Sequence, residues 1–371
     1  MKAMIMAAGL GTRLLPLTRF MSKPMVPVLD RPLMEHLLQL LVRHGFTELA
    51  ANLHYQPFDM PQRFDDGAAL GVSLRYQFEL ELSGTAGGTG LFRDFLSDGA
   101  FLVMSGDALT DIDLSGLVAH HRAAGCVATI AVKRVADPSR YGVVVTDEQD
   151  RVMAFQEKPR LEEARSNLCS CGIYVFEPQI FDYIPPGRFV DYAVDVFPAL
   201  LGGGVPVSTW CLDSYWSDVG NLDAYRHANF DALHGRVAVS SDCALLRPGI
   251  WIGDGVCVAP SAVLTPPVLL GRGCQVEAGA SIIGPVTIGS ECTVGADAVV
   301  ERSVVWRRCS IGAGASVEGA VLGASVLIGQ GAGVGHGAVI AGGCLVSDGT
   351  AVPQDARLEP GTIVRADEGA C

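Results

Sequence analysis

Residues 252–306 read IGDGVCVAPSAVLTPPVLLGRGCQVEAGASIIGPVTIGSECTVGADAVVERSVVW. An aliphatic or aromatic residue stands at every sixth place: Ile252, Val258, Leu264, Leu270, Val276, Ile282, Ile288, Val294, Val300 and Trp306. A helix cannot produce this pattern, because its faces recur about every 3.6 residues. Short strands separated by tight corners can, if each of these residues points into a narrow prism. The phase slips by one residue to Ile311 and Val317, and slips again to Leu322. It then holds through Ile328, Val334, Ile340, Val346, Val352, Leu358 and Val364. Gly, Ala and Ser recur in between, and the whole stretch contains no lysine.

Three such hexads make one coil of about 18 residues, so the pattern predicts six or seven coils. It resembles the hexapeptide-repeat proteins, and the resemblance implies a left-handed parallel β-helix over 237–371. Residues 1–236 have a different rhythm, in which short apolar runs alternate with helical patterns. AMIMA (3–7) and FLVMSGD (101–107) read as buried strands. LMEHLLQLLVRHG (33–45) reads as an amphipathic helix stopped by Gly45. Such alternation predicts an α/β domain with a Rossmann-like, doubly wound, mainly parallel sheet covered on both faces. Ligands of such sheets bind beyond the carboxyl ends of the strands.

Composition narrows the function. Nearly half the chain is hydrophobic, yet no stretch is long and apolar enough to span a bilayer. The apolar run at the start meets Arg13 and Pro16 at once, so it reads as a first strand and not a signal peptide. Eleven scattered cysteines show no metal or disulfide spacing and read as free thiols of a reducing cytoplasm. The net charge of −13 argues against a nucleic-acid partner. A polyanionic ligand would then need local cations or a metal. Lysine is scarce: Lys2, Lys23, Lys133 and Lys158 are the only ones among 27 basic residues.

Residues 7–28, AAGLGTRLLPLTRFMSKPMVPV, follow the first strand. Ala8, Gly9, Gly11 and Thr12 suit a tight loop whose backbone N–H groups can cradle phosphate. Arg13 adds a permanent forked cation, and Lys23, held by Pro24 and Pro27, adds a point charge. The Gly-x-Gly pair alone lacks the spacing of the dinucleotide fingerprint and of the Walker loop, and by itself reads better as a plain strand–turn–helix.

The whole segment resembles the signature of the sugar-phosphate nucleotidyltransferases, G-x-G-x-R-L-x-P-L-T followed by P-K-P, with Ser22 in place of the first proline. ELSGTAGG (81–88), FLVMSGD, FQEKP (155–159) and YWSDVG (215–220) continue that resemblance in order. Within the family the wording is most similar to bacterial mannose-1-phosphate guanylyltransferases. The resemblance implies Mg²⁺-dependent transfer of a nucleotidyl group from a nucleoside triphosphate to a sugar 1-phosphate, with GTP and mannose 1-phosphate as the pair. It implies that Arg13 and Lys23 hold the triphosphate and the leaving pyrophosphate, and that Asp107 and Asp218 hold Mg²⁺. Gly84, Thr85 and Gly106 would border the nucleotide. Gly142, Glu157, Lys158 and Ser170 would border the sugar phosphate. No protein nucleophile is required, because the sugar phosphate is already ionised. A cytoplasmic homo-oligomer assembled through the β-helix is expected, with neither nucleic acid nor membrane as partner and without a phosphomannomutase-like second activity.

Several of these residues also have ordinary structural readings. Asp107 could cap the segment after its strand, Asp218 could pair with an arginine, and Glu157–Lys158 could be a solvated pair. Relatives carry Asn-x-Gly where this chain has Ser170-Cys171-Gly172, and Asn167 lies three residues too early to replace that asparagine. They also tend to carry polar or charged residues near Ala193 and Val194, so the sugar pocket is expected to differ while the triphosphate machinery is intact. Three other functions fit the sequence: a glucose-1-phosphate uridylyl- or thymidylyltransferase, a bifunctional nucleotidyl- and acetyltransferase using His336 as base, and an inactive regulatory paralogue.

Overall fold

The structure is a computed structural model that describes residues 1–366; the last five residues of the expected β-helix span lie outside it. The chain forms two compact units. One comprises Met1–Leu10, Ser22–Pro24 and Met34–Asp218, and the other Gly11–Met21, Met25–Leu33 and the chain from Val219 onward.

The first unit is built on a nine-stranded sheet. The central strand Lys2–Met6 runs parallel to Glu48–Leu53 on one side and to Phe101–Ser105 on the other, and Ser73–Phe78 extends the parallel run. This is the doubly wound heart expected from the alternating pattern. The long strand Leu168–Phe176 runs antiparallel to Phe101–Ser105, Ala128–Arg134 and Gly142–Thr146, which makes the sheet mixed. Apolar side chains on both faces explain the unbroken runs: Met4, Ile5, Val103 and Met104 are fully buried. The helix Leu33–Arg43 forms where the sequence places it, and Gly45 follows in the left-handed region at φ 78°.

Most of the second unit is the left-handed parallel β-helix. Among the described residues its three sheets hold eight, seven and six strands, the largest ending in the antiparallel strand Ala244–Arg247. Leu270, Ile288, Val305, Leu322 and Ile340 stack in register along one wall. The other positions of the sixfold series, from Ile252 to Val364, line or pack against the same core.

Trp306 is the exception. Val305 occupies the inward place, so the first one-residue slip falls between Val300 and Val305 and not after Trp306. Successive residues of a strand face opposite sides, and a prism lined by valine and isoleucine has no room for an indole. Trp306 faces out instead. Its Nε1 donates to the Tyr225 hydroxyl at 2.7 Å, with the rings edge to face at 6.3 Å. Tyr225 sits on the helix Leu222–Leu233, capped by Asn221, and donates its own proton to Pro27 O at 2.6 Å.

Candidate active site

The parallel strands of the first unit end at one place, and most of the predicted residues of this unit stand there. A cleft of about 330 Å³ is lined by Ala8 and Gly9 after the first strand, by Lys23, by Gly84 and Thr85, and by Asp107. Asp107 follows Phe101–Ser105 by one residue, and the intervening Gly106 donates its N–H to Met6 O at 2.9 Å. That bond draws the two strand ends together.

A short ribbon brings in the second carboxylate. Ala108–Thr110 pairs antiparallel with Trp216–Asp218, so Asp218 stands opposite Ala108, the residue after Asp107. Lys23 Nζ lies 2.5 Å from Asp107 Oδ2 and 3.5 Å from Asp218 Oδ1. Asp107 also accepts a hydrogen bond from the Ser105 hydroxyl. Two carboxylates converging on one cationic group form a hard-oxygen pair. Mg²⁺ is commonly held by such a pair when substrate phosphates complete its shell, so the donors fit that ion. The ribbon is anchored by Trp216, whose Nε1 donates to Cys171 O at 3.0 Å and whose ring meets Tyr141 edge to face. Burial, reinforced by the Asp218 charge, raises the Tyr141 pKa.

The loop at Gly84 has a strict geometry. Gly84 has φ 82°, and a Cβ there would lie 2.4 Å from Val190 O. The N–H groups of Ala86 and Gly87 both donate to Val190 O at 3.0 Å. The Thr85 hydroxyl donates to Asp191 Oδ2 at 2.9 Å and accepts from Tyr192 N–H, so it clamps the loop to the segment at 190–192.

Two polar residues at this cleft escaped the sequence analysis. Asn52 Oδ1 accepts from Ala7 N–H at 2.8 Å, and Asn52 Nδ2 donates to Glu79 Oε1 at 2.6 Å. Glu79 Oε2 accepts from both the N–H and the hydroxyl of Ser83, at 2.8 and 2.5 Å. Both residues are buried, so this satisfied network fixes the chain at Ala7 and the Gly84 loop to each other. Their place at parallel strand ends was the available signal.

Glu157, Asp191, Asp195, Phe189 and Val194 line a second cleft of about 410 Å³, which shares Phe189 and Asp191 with the first. Gly142 stands opposite Glu157 on the paired strand, and a Cβ there would meet the Phe155 ring at 2.4 Å. Glu157 and Lys158 pair with each other, as their ordinary reading foresaw, and Lys158 is exposed. The Ser170 hydroxyl lies 3.2 Å from the Tyr174 hydroxyl and accepts from Gly172 N–H. Asn167 accepts from Arg134. Gly11, Thr12 and Arg13 belong to the second unit, where Gly11 takes φ 65° and Arg13 is exposed. His336, also in that unit, is exposed at a corner beside Gly319. Burial pushes the Cys169 thiol up to about 12 and raises that of Cys171, so neither is a ready nucleophile.

Comparison with known proteins agrees with this geometry. Residues 2–235 match the family model described as nucleotidyl transferase, and residues 247–364 match that of the EIF2B subunit epsilon LbH domain. A UTP–glucose-1-phosphate uridylyltransferase from Synechocystis sp. is 40% identical over 267 residues, 68% of this chain and 69% of the relative. A mannose-1-phosphate guanylyltransferase from Mycobacterium tuberculosis is 36% identical over 261 residues, 70% of this chain and 72% of the relative. Among solved structures, a chain from Bacillus anthracis described as a glucose-1-phosphate thymidylyltransferase superposes with a TM-score of 0.58 at 26% identity, covering 65% of this chain and 97% of that one. The chain belongs to the nucleotidyl transferase family.

Proposed function

We propose that this protein transfers a nucleotidyl group from a nucleoside triphosphate to a sugar 1-phosphate and releases pyrophosphate. The observation that carries this reading is the convergence of Lys23, Asp107 and Asp218 at the strand ends. Two polyanions must meet, so positioning and charge neutralisation are the main demands. Lys23 meets the triphosphate with a charge fixed in place by two carboxylates. Arg13, by its position in the family signature, supplies a second cation. Asp107 and Asp218 would hold Mg²⁺, which when bound neutralises phosphate charge and polarises the phosphoryl group under attack. Glu157 accepts from sugar hydroxyls and Lys158 balances the sugar phosphate. The sugar phosphate oxygen attacks the α-phosphorus, the bond to the β-phosphate oxygen breaks, and pyrophosphate leaves with that electron pair.

The pair we propose is GTP with mannose 1-phosphate, supported by the mannose-1-phosphate guanylyltransferase from Mycobacterium tuberculosis at 36% identity. The relative at 40% identity favours a second pair, UTP with glucose 1-phosphate. Pyrophosphate release with Mg²⁺, measured for GTP, UTP, dTTP, ATP and CTP against each sugar phosphate, separates the two. Turnover that is highest with GTP and mannose 1-phosphate supports the first. Highest turnover with UTP and glucose 1-phosphate replaces it with the second. Release without dependence on any sugar phosphate would contradict both.

A further inference from the structure

The second cleft has an unusual lining for a sugar site. Of its five residues, three are acids and two are exposed hydrophobics: Phe189 is 67% exposed and Val194 62% exposed. The acids are largely committed. Asp191 accepts from Ala193 N–H, Val194 N–H and the Thr85 hydroxyl, Asp195 accepts from Asp191 N–H, and Glu157 pairs with Lys158. The backbone beside Phe189 is held by Val190 N–H donating to Ser83 O at 2.8 Å. Phe189 and Val194 stand together in one concave site rimmed by acids, and an exposed apolar pair so placed is a surface that a ligand can cover.

The chemistry of the cleft restricts that ligand. Three carboxylates disfavour a phosphate group, so the covering group is the uncharged part of a substrate. Phe189 lines both clefts, which places it where the two substrates would adjoin. The nucleotide cleft has its own loop at Gly84, while the second cleft holds Glu157, the residue assigned to sugar hydroxyls. We infer that Phe189 and Val194 form an apolar wall against which the C–H face of the acceptor's sugar ring lies, making them specificity-determining residues. This inference rests on the nucleotidyl-transfer reading above. It also gives the departure at Ala193 and Val194 a consequence: the ring is held on this side by its apolar face and not by hydrogen bonds, so a hexose 1-phosphate lacking a hydroxyl on that side is tolerated.

Steady-state kinetics of Phe189→Ala and Phe189→Tyr in the full chain test this. Phe189→Ala is expected to raise KM for the sugar 1-phosphate about tenfold, with kcat and the triphosphate KM within about twofold. Phe189→Tyr keeps the flat face and is expected to restore the wild-type KM. Because the side chain is exposed, the melting temperature should not move. A raised triphosphate KM would assign the ring to the nucleobase and overturn the inference, as would unchanged constants. If the wild type turns over no pair, the functional reading fails on its own. Calorimetric binding of mannose 1-phosphate and glucose 1-phosphate then decides the wall: affinity lost in Phe189→Ala upholds it, and affinity unchanged or absent overturns it.

Discussion

Lys23 Nζ lies 2.5 Å from Asp107 Oδ2, and the lysine side chain is only 8% exposed. Lys23 stands 84 residues from its partner, just after a loop assigned to the other unit, yet it meets Asp107 at the end of a central strand. Burying an ammonium is costly unless it is paired, and Asp218, 3.5 Å from Lys23 Nζ, still pairs it when Asp107 is changed; Lys23 and Asp107 both line the cleft.

Removing the carboxylate charge should therefore disable turnover without unfolding the chain. Asp107→Asn is expected to lower kcat at least about a hundredfold while circular dichroism stays native. A fall of less than about threefold in the pyrophosphate assay would remove Asp107 from the machinery.

The Asn52–Glu79–Ser83 network predicts a stability loss. Both Glu79 oxygens accept hydrogen bonds, from Asn52 and from Ser83. Glu79→Gln puts an NH₂ group against a donor in either orientation. Asn52 cannot flip to help without abandoning Ala7 N–H. The expected cost is about 1–3 kcal/mol, read from urea denaturation. An unchanged midpoint would mean the network is not formed in solution.

Trp306 is buried outside the prism, against Tyr225. Trp306→Ala should destabilise the protein by about 3–5 kcal/mol, because it leaves a cavity and removes one of the two hydrogen bonds of the buried Tyr225 hydroxyl. Val305→Trp, which forces an indole inward, should prevent folding. A tolerated Val305→Trp would show that the inward place is wrongly assigned.

His121 predicts a pH dependence of stability. It is fully buried, with Nδ1 2.8 Å from Thr129 Oγ1 and Nε2 3.3 Å from Glu177 Oε1. Burial lowers its pKa, Glu177 opposes that shift, and His120 and Arg122 add to it. Both states are neutral above about pH 6.5. Below that, the unfolded chain takes up the proton first, so stability falls as the pH drops. The urea midpoint should decline from about pH 7 to about pH 5, and His121→Gln should remove part of that decline. Identical slopes would contradict this. His44, lowered mainly by burial, accounts for some of the remainder.

The sixfold series was legible because one residue type recurs at a fixed interval, and it predicted the β-helix wall almost residue by residue. Trp306 misled because a large apolar residue adjacent to the inward place fits the period as well as Val305 does; only strand alternation separates them. The site motifs at Gly84, Asp107 and Asp218 could be read as short strings after strands. Asn52 falls in an apolar run and Glu79 is one of two acids in FELEL, so neither carries a periodic or spacing signal. Their importance comes from the topology that places two parallel strand ends side by side. The antiparallel course of Leu168–Phe176 was equally hidden, since a strand buried on both faces reads the same in either direction.

Nucleotidyl transfer onto a sugar 1-phosphate at the Lys23–Asp107–Asp218 cluster can be followed by its label. The most direct measurement follows the α-phosphate of labelled GTP in the presence of mannose 1-phosphate and Mg²⁺. The label is expected to appear in a nucleotide sugar, to require the sugar phosphate for its appearance, and to be abolished by Asp107→Asn. Label found only in free nucleotide, or transfer undiminished in the variant, would contradict transfer at this cluster.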